Sequence, residues 1–96
     1  MSDHITQINN WLRDCALYPA YEAVAIVGCP QLWLLEDQHE CMAYTSPEGC
    51  YRALCLLDQE IATRDAILCA LHPNRVSDDV EQQIELQPDG GYLWVG

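Results

Sequence analysis

Apolar residues recur at spacings of three and four from Ile5 through Ile8, Trp11, Leu12 and Cys15 to Ala16, with Asn9, Asn10, Arg13 and Asp14 between them. That period is one face of a helix. Asp3 stands where a capping carboxylate would accept from the first turn, and Tyr18-Pro19 ends the element because the residue before proline is pushed out of helical backbone. The pattern then changes. Glu22 to Cys29 and Gln31 to Glu36 are short runs, apolar at most positions and separated by Gly28 and Pro30. Such runs read as strands covered on both faces. Asp37-Gln38-His39-Glu40 is a polar turn, and Cys41 to Thr45 completes a meander.

Ser46-Pro47-Glu48 is a helix start, with a capping serine, proline at the first position and an acid in the first turn. The spacing predicts one long helix from Ser46 to Leu71 or His72, closed by Pro73, with Thr63 its weakest point. At 100° per residue its apolar positions run from about 240° (Leu56) through Cys50, Leu57, Leu68 and Ile61 to about 40° (Leu54). Ile67 and Leu71 fall in the same stripe. That width predicts a central helix lying on the sheet and touched also by the first helix or a second subunit. Glu60 and Arg64, inside the stripe at i,i+4, are placed to pair.

Beyond a polar loop from Asn74 to Asp79, Val80, Gln82, Ile84 and Leu86 alternate with Glu81, Gln83, Glu85 and Gln87. This reads as a half-buried strand. Pro88-Asp89-Gly90-Gly91 is a hairpin turn and Tyr92 to Val95 the return strand. The expected order is α-β-β-β-α-β-β: an α+β domain over residues 1–96, mainly antiparallel sheet with the long helix packed on it. Trp11, Trp33 and Trp94 lie on apolar faces as core residues, while the five tyrosines are placed nearer the surface.

Composition narrows the function. Fifteen acids face four arginines and no lysine, for a formal charge of −11. Direct nucleic-acid binding needs bases to neutralise phosphates, and a polybasic membrane anchor needs them too. Both are disfavoured. No apolar run approaches the ~20 residues of a spanning helix and no secretory signal opens the chain, so a cytoplasmic protein with reduced thiols is expected. Cys15, Cys29, Cys41, Cys50, Cys55 and Cys69 include no C-x2-C knuckle and read as buried apolar side chains, with no metal and no cofactor.

Catalytic signatures are missing. There is no G-x-G-x-x-G, P-loop, H-E-x-x-H or G-x-S-x-G, and without lysine there is no Schiff-base chemistry. Asp78-Asp79-Val80-Glu81 lacks the glycine turn of a calcium loop. His39-Glu40-Cys41 is the one reactive-looking cluster, since His39 and Cys41 on a strand would share a face. No oxyanion donor or pocket accompanies it, and the expectation is a non-enzymatic protein with no catalytic residues.

The acids themselves are the lead. Glu36, Asp37 and Glu40 cluster in one turn, with Glu48 nearby, while Asp78, Asp79, Glu81, Glu85 and Asp89 follow one another in the last third. No arginine falls within either segment. A domain of this length is about 30 Å wide, a span over which duplex DNA presents roughly 18 phosphates. Such a surface suits the basic groove of a nucleic-acid-handling protein. In size and charge the chain resembles the small acidic inhibitors that phages encode against host restriction and CRISPR systems, a likeness of profile over the whole chain that no motif carries. It implies an inhibitor or modulator of a basic partner protein, acting by nucleic-acid mimicry through Glu36, Asp37, Glu40, Asp78, Asp79, Glu81, Glu85 and Asp89. The alternative is a structural or assembly module, a homodimer formed through the apolar face of the long helix at Leu56 and Ile67. A Cys/His metal site or thiol enzyme ranks third.

Overall fold

The computed structural model describes residues 3–96. Helix α1 (His4–Asp14) begins as the sequence predicts, Asp3 accepting from the Thr6 amide at 2.7 Å. It stops four residues short of Pro19. Ala16 takes a left-handed φ of 60°, Ala16 N donates to Arg13 O at 3.0 Å, and Leu17 N donates to Leu12 O at 2.9 Å. These two bonds close the helix carbonyls in the manner of a Schellman turn, with alanine where glycine is usual.

Strands β1 (Glu22–Ala25), β2 (Leu32–Glu36) and β3 (Cys41–Thr45) form the antiparallel meander, β2 in the middle. Alternation splits the sheet into two faces. Ala23, Trp33, Leu35, Met42 and Tyr44 pack against Ile8, Trp11 and Leu12 of α1 and against two later helices. Trp33 and Tyr44 sit opposite each other in register, their rings stacked with centroids 5.3 Å apart. Leu32, Leu34 and Ala43 face the other way, against Ile26, Val76 and the C-terminal part of the chain. Covering on both faces is what the near-continuous apolar run of β2 predicts, and four of its five residues are buried; β1 departs from the expectation, ending at Ala25 rather than Cys29 with Ala23 its one buried residue.

The sheet edges are closed by side chains and, at β3, by one backbone amide as well. Asn9 of α1 reads the backbone of β1 like a partner strand: its Oδ1 accepts from Ala23 N at 2.7 Å and its Nδ2 donates to Ala23 O at 2.9 Å. At the opposite edge, Ala43 N of β3 donates to the Glu81 carboxylate at 3.1 Å and Ala43 O accepts from Val76 N at 3.2 Å.

The predicted long helix is two helices. α2 (Pro47–Cys55) starts at Ser46, whose hydroxyl accepts from Gly49 N at 3.1 Å. A 3-10 turn follows over Gln59–Ile61, then α3 (Arg64–Leu71). The break lies where two side chains compete with the helix for backbone donors. Asp58 Oδ1 accepts from Glu60 N at 2.9 Å and Thr63 Oγ1 from Ala66 N at 3.2 Å, each offering a capped start in place of continuation. The phase of the apolar stripe is reset there. Cys50 and Leu54 on α2 and Ile67 and Leu71 on α3 are buried, but Leu56 and Ile61 are 88% and 72% exposed. Glu60 does not pair with Arg64 either, which turns to Asp37 and Glu40.

The second departure is at residues 78–81. The alternating pattern predicts a strand from Val80, but Ser77 caps one helical turn, α4 (Asp78–Glu81), with Asp78 and Asp79 in its first turn. Only β4 (Ile84–Leu86) remains of that strand, paired with β5 (Tyr92–Trp94) across the expected turn, where Gly90 takes φ +90°. The order is therefore α-β-β-β-α-α-α-β-β. β5 is tied to the main sheet through Val27, whose N donates to Tyr92 O and whose O accepts from Trp94 N, both at 2.9 Å.

Candidate protein-binding surface

The two acidic segments meet on the second face of the sheet. Glu36, the last residue of β2, accepts a short hydrogen bond from the Tyr92 hydroxyl of β5, joining positions 56 apart in sequence. The Cys41 thiol also reaches the Tyr92 oxygen, at 3.9 Å. Leu34, Cys41, Glu81, Ile84 and Tyr92 line a small cavity of about 150 Å³ beside this junction.

Half of the predicted contact residues are bonded to other parts of the fold. Asp37 has no exposed side-chain surface; it accepts from His39 N at 2.7 Å, Glu40 N at 2.9 Å and Arg64 Nε at 3.1 Å. Burial pushes its pKa up, yet the two amides and the guanidinium outweigh burial and leave it below the usual carboxylate value. Glu40 takes the other arm of Arg64 at 3.2 Å. Glu81 binds Arg75 through Nη2 at 2.8 Å and Nε at 3.1 Å besides closing the β3 edge. With the Tyr92–Glu36 bond, these four acids act as structural acceptors. Asp78, Asp79, Glu85 and Asp89 remain exposed, Asp89 also accepting from Gly91 N in its turn at 2.9 Å.

Arginines absent from both acidic segments of the sequence thus arrive by folding, Arg64 from α3 and Arg75 from the segment after it. Arg52 pairs with Glu48, and Arg13 bonds Asn10 Oδ1 at 2.8 Å with its guanidinium over the Tyr18 ring. All four arginines are engaged. Of the fifteen acids, Asp37, Glu40, Glu48 and Glu81 share them, which leaves eleven carboxylates without an ion-pair partner among the described residues.

Three of those eleven escape a reading of the sequence as one group, because the first lies more than forty positions from the other two. Asp14, Asp58 and Glu60 line a groove of about 570 Å³ between α1, α2 and the 3-10 turn. The signal available was Asp14 on the same helical face as Gln7, Asn10 and Trp11.

The thiols differ from expectation. Only Cys50 is buried; Cys41, Cys55 and Cys69 are exposed, and all six are free. Burial raises the Cys41 pKa; the Tyr92 hydrogen bond opposes this, and the charges of Glu36, Glu81 and Asp37 raise it further. That environment suppresses the thiolate a nucleophile would need. Among the described residues, no group of three or more His, Cys, Asp or Glu is arranged to hold a metal ion, and no helix is long and apolar enough to cross a membrane. Tyr44, placed near the surface from the sequence, is buried beside Trp33. Ile67 is likewise fully buried in this chain's own core, so the predicted dimer face at Leu56 and Ile67 does not exist as one surface.

Comparison with family models, with curated proteins and with solved structures finds no match to this chain. Its function is argued from the surface.

Proposed function

We propose that this protein binds a basic, nucleic-acid-handling protein and inhibits or modulates it, occupying that partner's phosphate-binding surface without catalysing a reaction. One observation carries the reading: every arginine is spent on an internal partner, while Asp78, Asp79, Glu85 and Asp89 stand exposed and unpaired along the α4–β4–β5 segment. Internal pairing consumes part of the acidity but none of these four. The molecule measures 38 × 30 × 25 Å, and a 30 Å length of duplex carries roughly 18 phosphates. Eleven carboxylates without an ion-pair partner, over a body of that size, are of the same order.

A partner recognised in this way associates fast and loses affinity with salt. The test is an affinity pull-down at low salt from the source cell or its natural host, followed by titration of the captured partner against salt. Neutralising Asp78, Asp79 and Glu85 together (D78N/D79N/E85Q) should weaken the complex by about tenfold at low salt and flatten its salt dependence. Glu81 is left intact because it holds Arg75 and Ala43. A complex indifferent to both salt and these substitutions overturns the reading.

A further inference from the structure

We propose that the outer edge of β4 accepts an extended segment of the protein partner as an added antiparallel strand, with a lysine or arginine set opposite Glu85. Only the source of that strand rests on the functional reading above. The edge and its preference follow from the backbone and side chains of the hairpin.

The ladder of the hairpin fixes which backbone groups are free. Gln87 N donates to Gly91 O and Val95 N donates to Gln83 O, both at 2.8 Å. Bonded pairs alternate along an antiparallel ribbon, so Glu85 and Leu93 form the bonded pair between these two. The N–H and C=O of Ile84 and Leu86 therefore point away from β5. On the β5 side, Tyr92 O and Trp94 N turn outward from the same ladder, and Val27 takes both. The fold likewise covers β1 at Ala23 with Asn9, and β3 at Ala43 with Glu81 and Val76. β4 pairs with β5 alone, and among the described residues nothing bonds the outward groups of Ile84 and Leu86. Such an edge is a template for one more strand, whose backbone bonds give affinity and whose alternate side chains give selectivity.

The side chains of β4 choose the occupant. Ile84 and Leu86 share one face of the ribbon, Leu86 with 62% of its surface exposed. Glu85 stands on the other face, exposed and without an ion-pair partner among the described residues. A second copy of β4 is a poor match. The two-fold register that pairs Ile84 with Leu86 sets Glu85 directly against its own copy, and opposed like charges destabilise a ladder. Centring the axis on Leu86 places Pro88, which has no N–H, opposite Ile84. Centring it on Ile84 places Gln82, in helical backbone at the end of α4, opposite Leu86. A strand reading apolar, basic, apolar meets none of these obstacles. Its cation faces Glu85, its apolar side chains extend the Ile84–Leu86 face, and its backbone completes the missing bonds.

The probe is the capped peptide Ser-Thr-Val-Lys-Val-Thr-Ser, titrated into the isotope-labelled full chain at low salt and read by amide exchange with solvent. The Ile84 and Leu86 amides, open in the free chain, should become protected as the peptide saturates. The Glu85 amide, already inside the hairpin ladder, should change little. Replacing the peptide lysine with glutamate should weaken binding about tenfold, and Glu85→Lys in the chain should reverse that preference. Methylating both valine nitrogens leaves the peptide charge intact and should abolish the protection. Leu86→Pro removes an outward donor that the hairpin does not use and should act in the same way, a protected Val95 amide reporting that the hairpin is still formed. Binding that survives N-methylation, protection that does not alternate along β4, or no binding at all would overturn the proposal. Protection at Ile84 and Leu86 that rises with protein concentration in the absence of peptide would assign the edge to a second copy and overturn it too. In any of these events, a partner still captured in the pull-down and still sensitive to D78N/D79N/E85Q leaves the functional reading standing.

Discussion

Arg64 Nε lies 3.1 Å from Asp37 Oδ2, a bond across 27 positions that neutralises a carboxylate set between Glu36 and Glu40 in the β2–β3 turn. Because the Asp37 side chain is wholly covered, this pair is part of how the β2–β3 turn is held to α3.

Asp37→Ala should destabilise the protein by about 2 kcal/mol, since it leaves two turn amides and the Nε of Arg64 without their acceptor while Glu40 keeps the other arm. Its pH signature is the sharper test. The folded-state pKa is below the ordinary value, so the contribution is present above the unfolded pKa of about 3.9 and is lost as pH falls through the folded value. Denaturant melts of Asp37→Asn should therefore show a shallower loss of stability on the acid side than the parent.

Asn9→Ala removes both bonds to Ala23 and should cost about 2 kcal/mol by chemical denaturation. Asn9→Asp keeps the acceptor for Ala23 N but sets a carboxylate oxygen against Ala23 O. It should rescue little of the loss, which separates two-bond pairing from mere packing at that position.

Ala16→Gly should stabilise by about 0.5–1 kcal/mol. Ala16 is exposed at φ 60°, where an L-residue is strained and glycine is not, and this gain exceeds the extra entropy that glycine gives the unfolded chain. An increase in the denaturation midpoint with unchanged slope is the expected result; a decrease would mean that the Ala16 methyl makes a contact worth more than the strain.

Tyr92→Phe should cost about 1 kcal/mol and act locally. Amide exchange at Val27 and Trp94, the two bonds tying β5 to the main sheet, should quicken while Leu34 and Leu35 in β2 stay protected. The Glu36 hydrogen bond, then burial, raise the Tyr92 pKa. That contribution is complete below the unfolded value near 10 and is lost as pH rises above it. The parent should lose stability more steeply than Tyr92→Phe in strong alkali.

The local elements were readable because their causes are local. Asp3 caps α1, Ser46-Pro47 starts α2, and Pro88 to Gly91 turns the last hairpin; the apolar density of β2 announces cover on both faces. What was illegible depends on competition or on distance. A periodicity count carries phase through Asp58 and Thr63 as if they were ordinary helix residues, so it placed Leu56 and Ile61 inside. Ser77 followed by two acids was a capping signal outvoted by the alternation after it. The candidate surface suffered most, since nothing in residues 36–48 or 78–89 reveals that Arg64 and Arg75 fold onto Asp37, Glu40 and Glu81. Nor does spacing show that Asp14 will share a groove with Asp58 and Glu60.

The eleven unpaired carboxylates repel one another within a body whose Cα radius of gyration is 12.7 Å, and that tension is relaxed by dissolved cations. Added salt should therefore tighten the native state over the same range in which it loosens the grip on a basic partner. Melting temperature and affinity will move in opposite directions, so a complex that dissolves in moderate salt does so with its acidic member better folded than before.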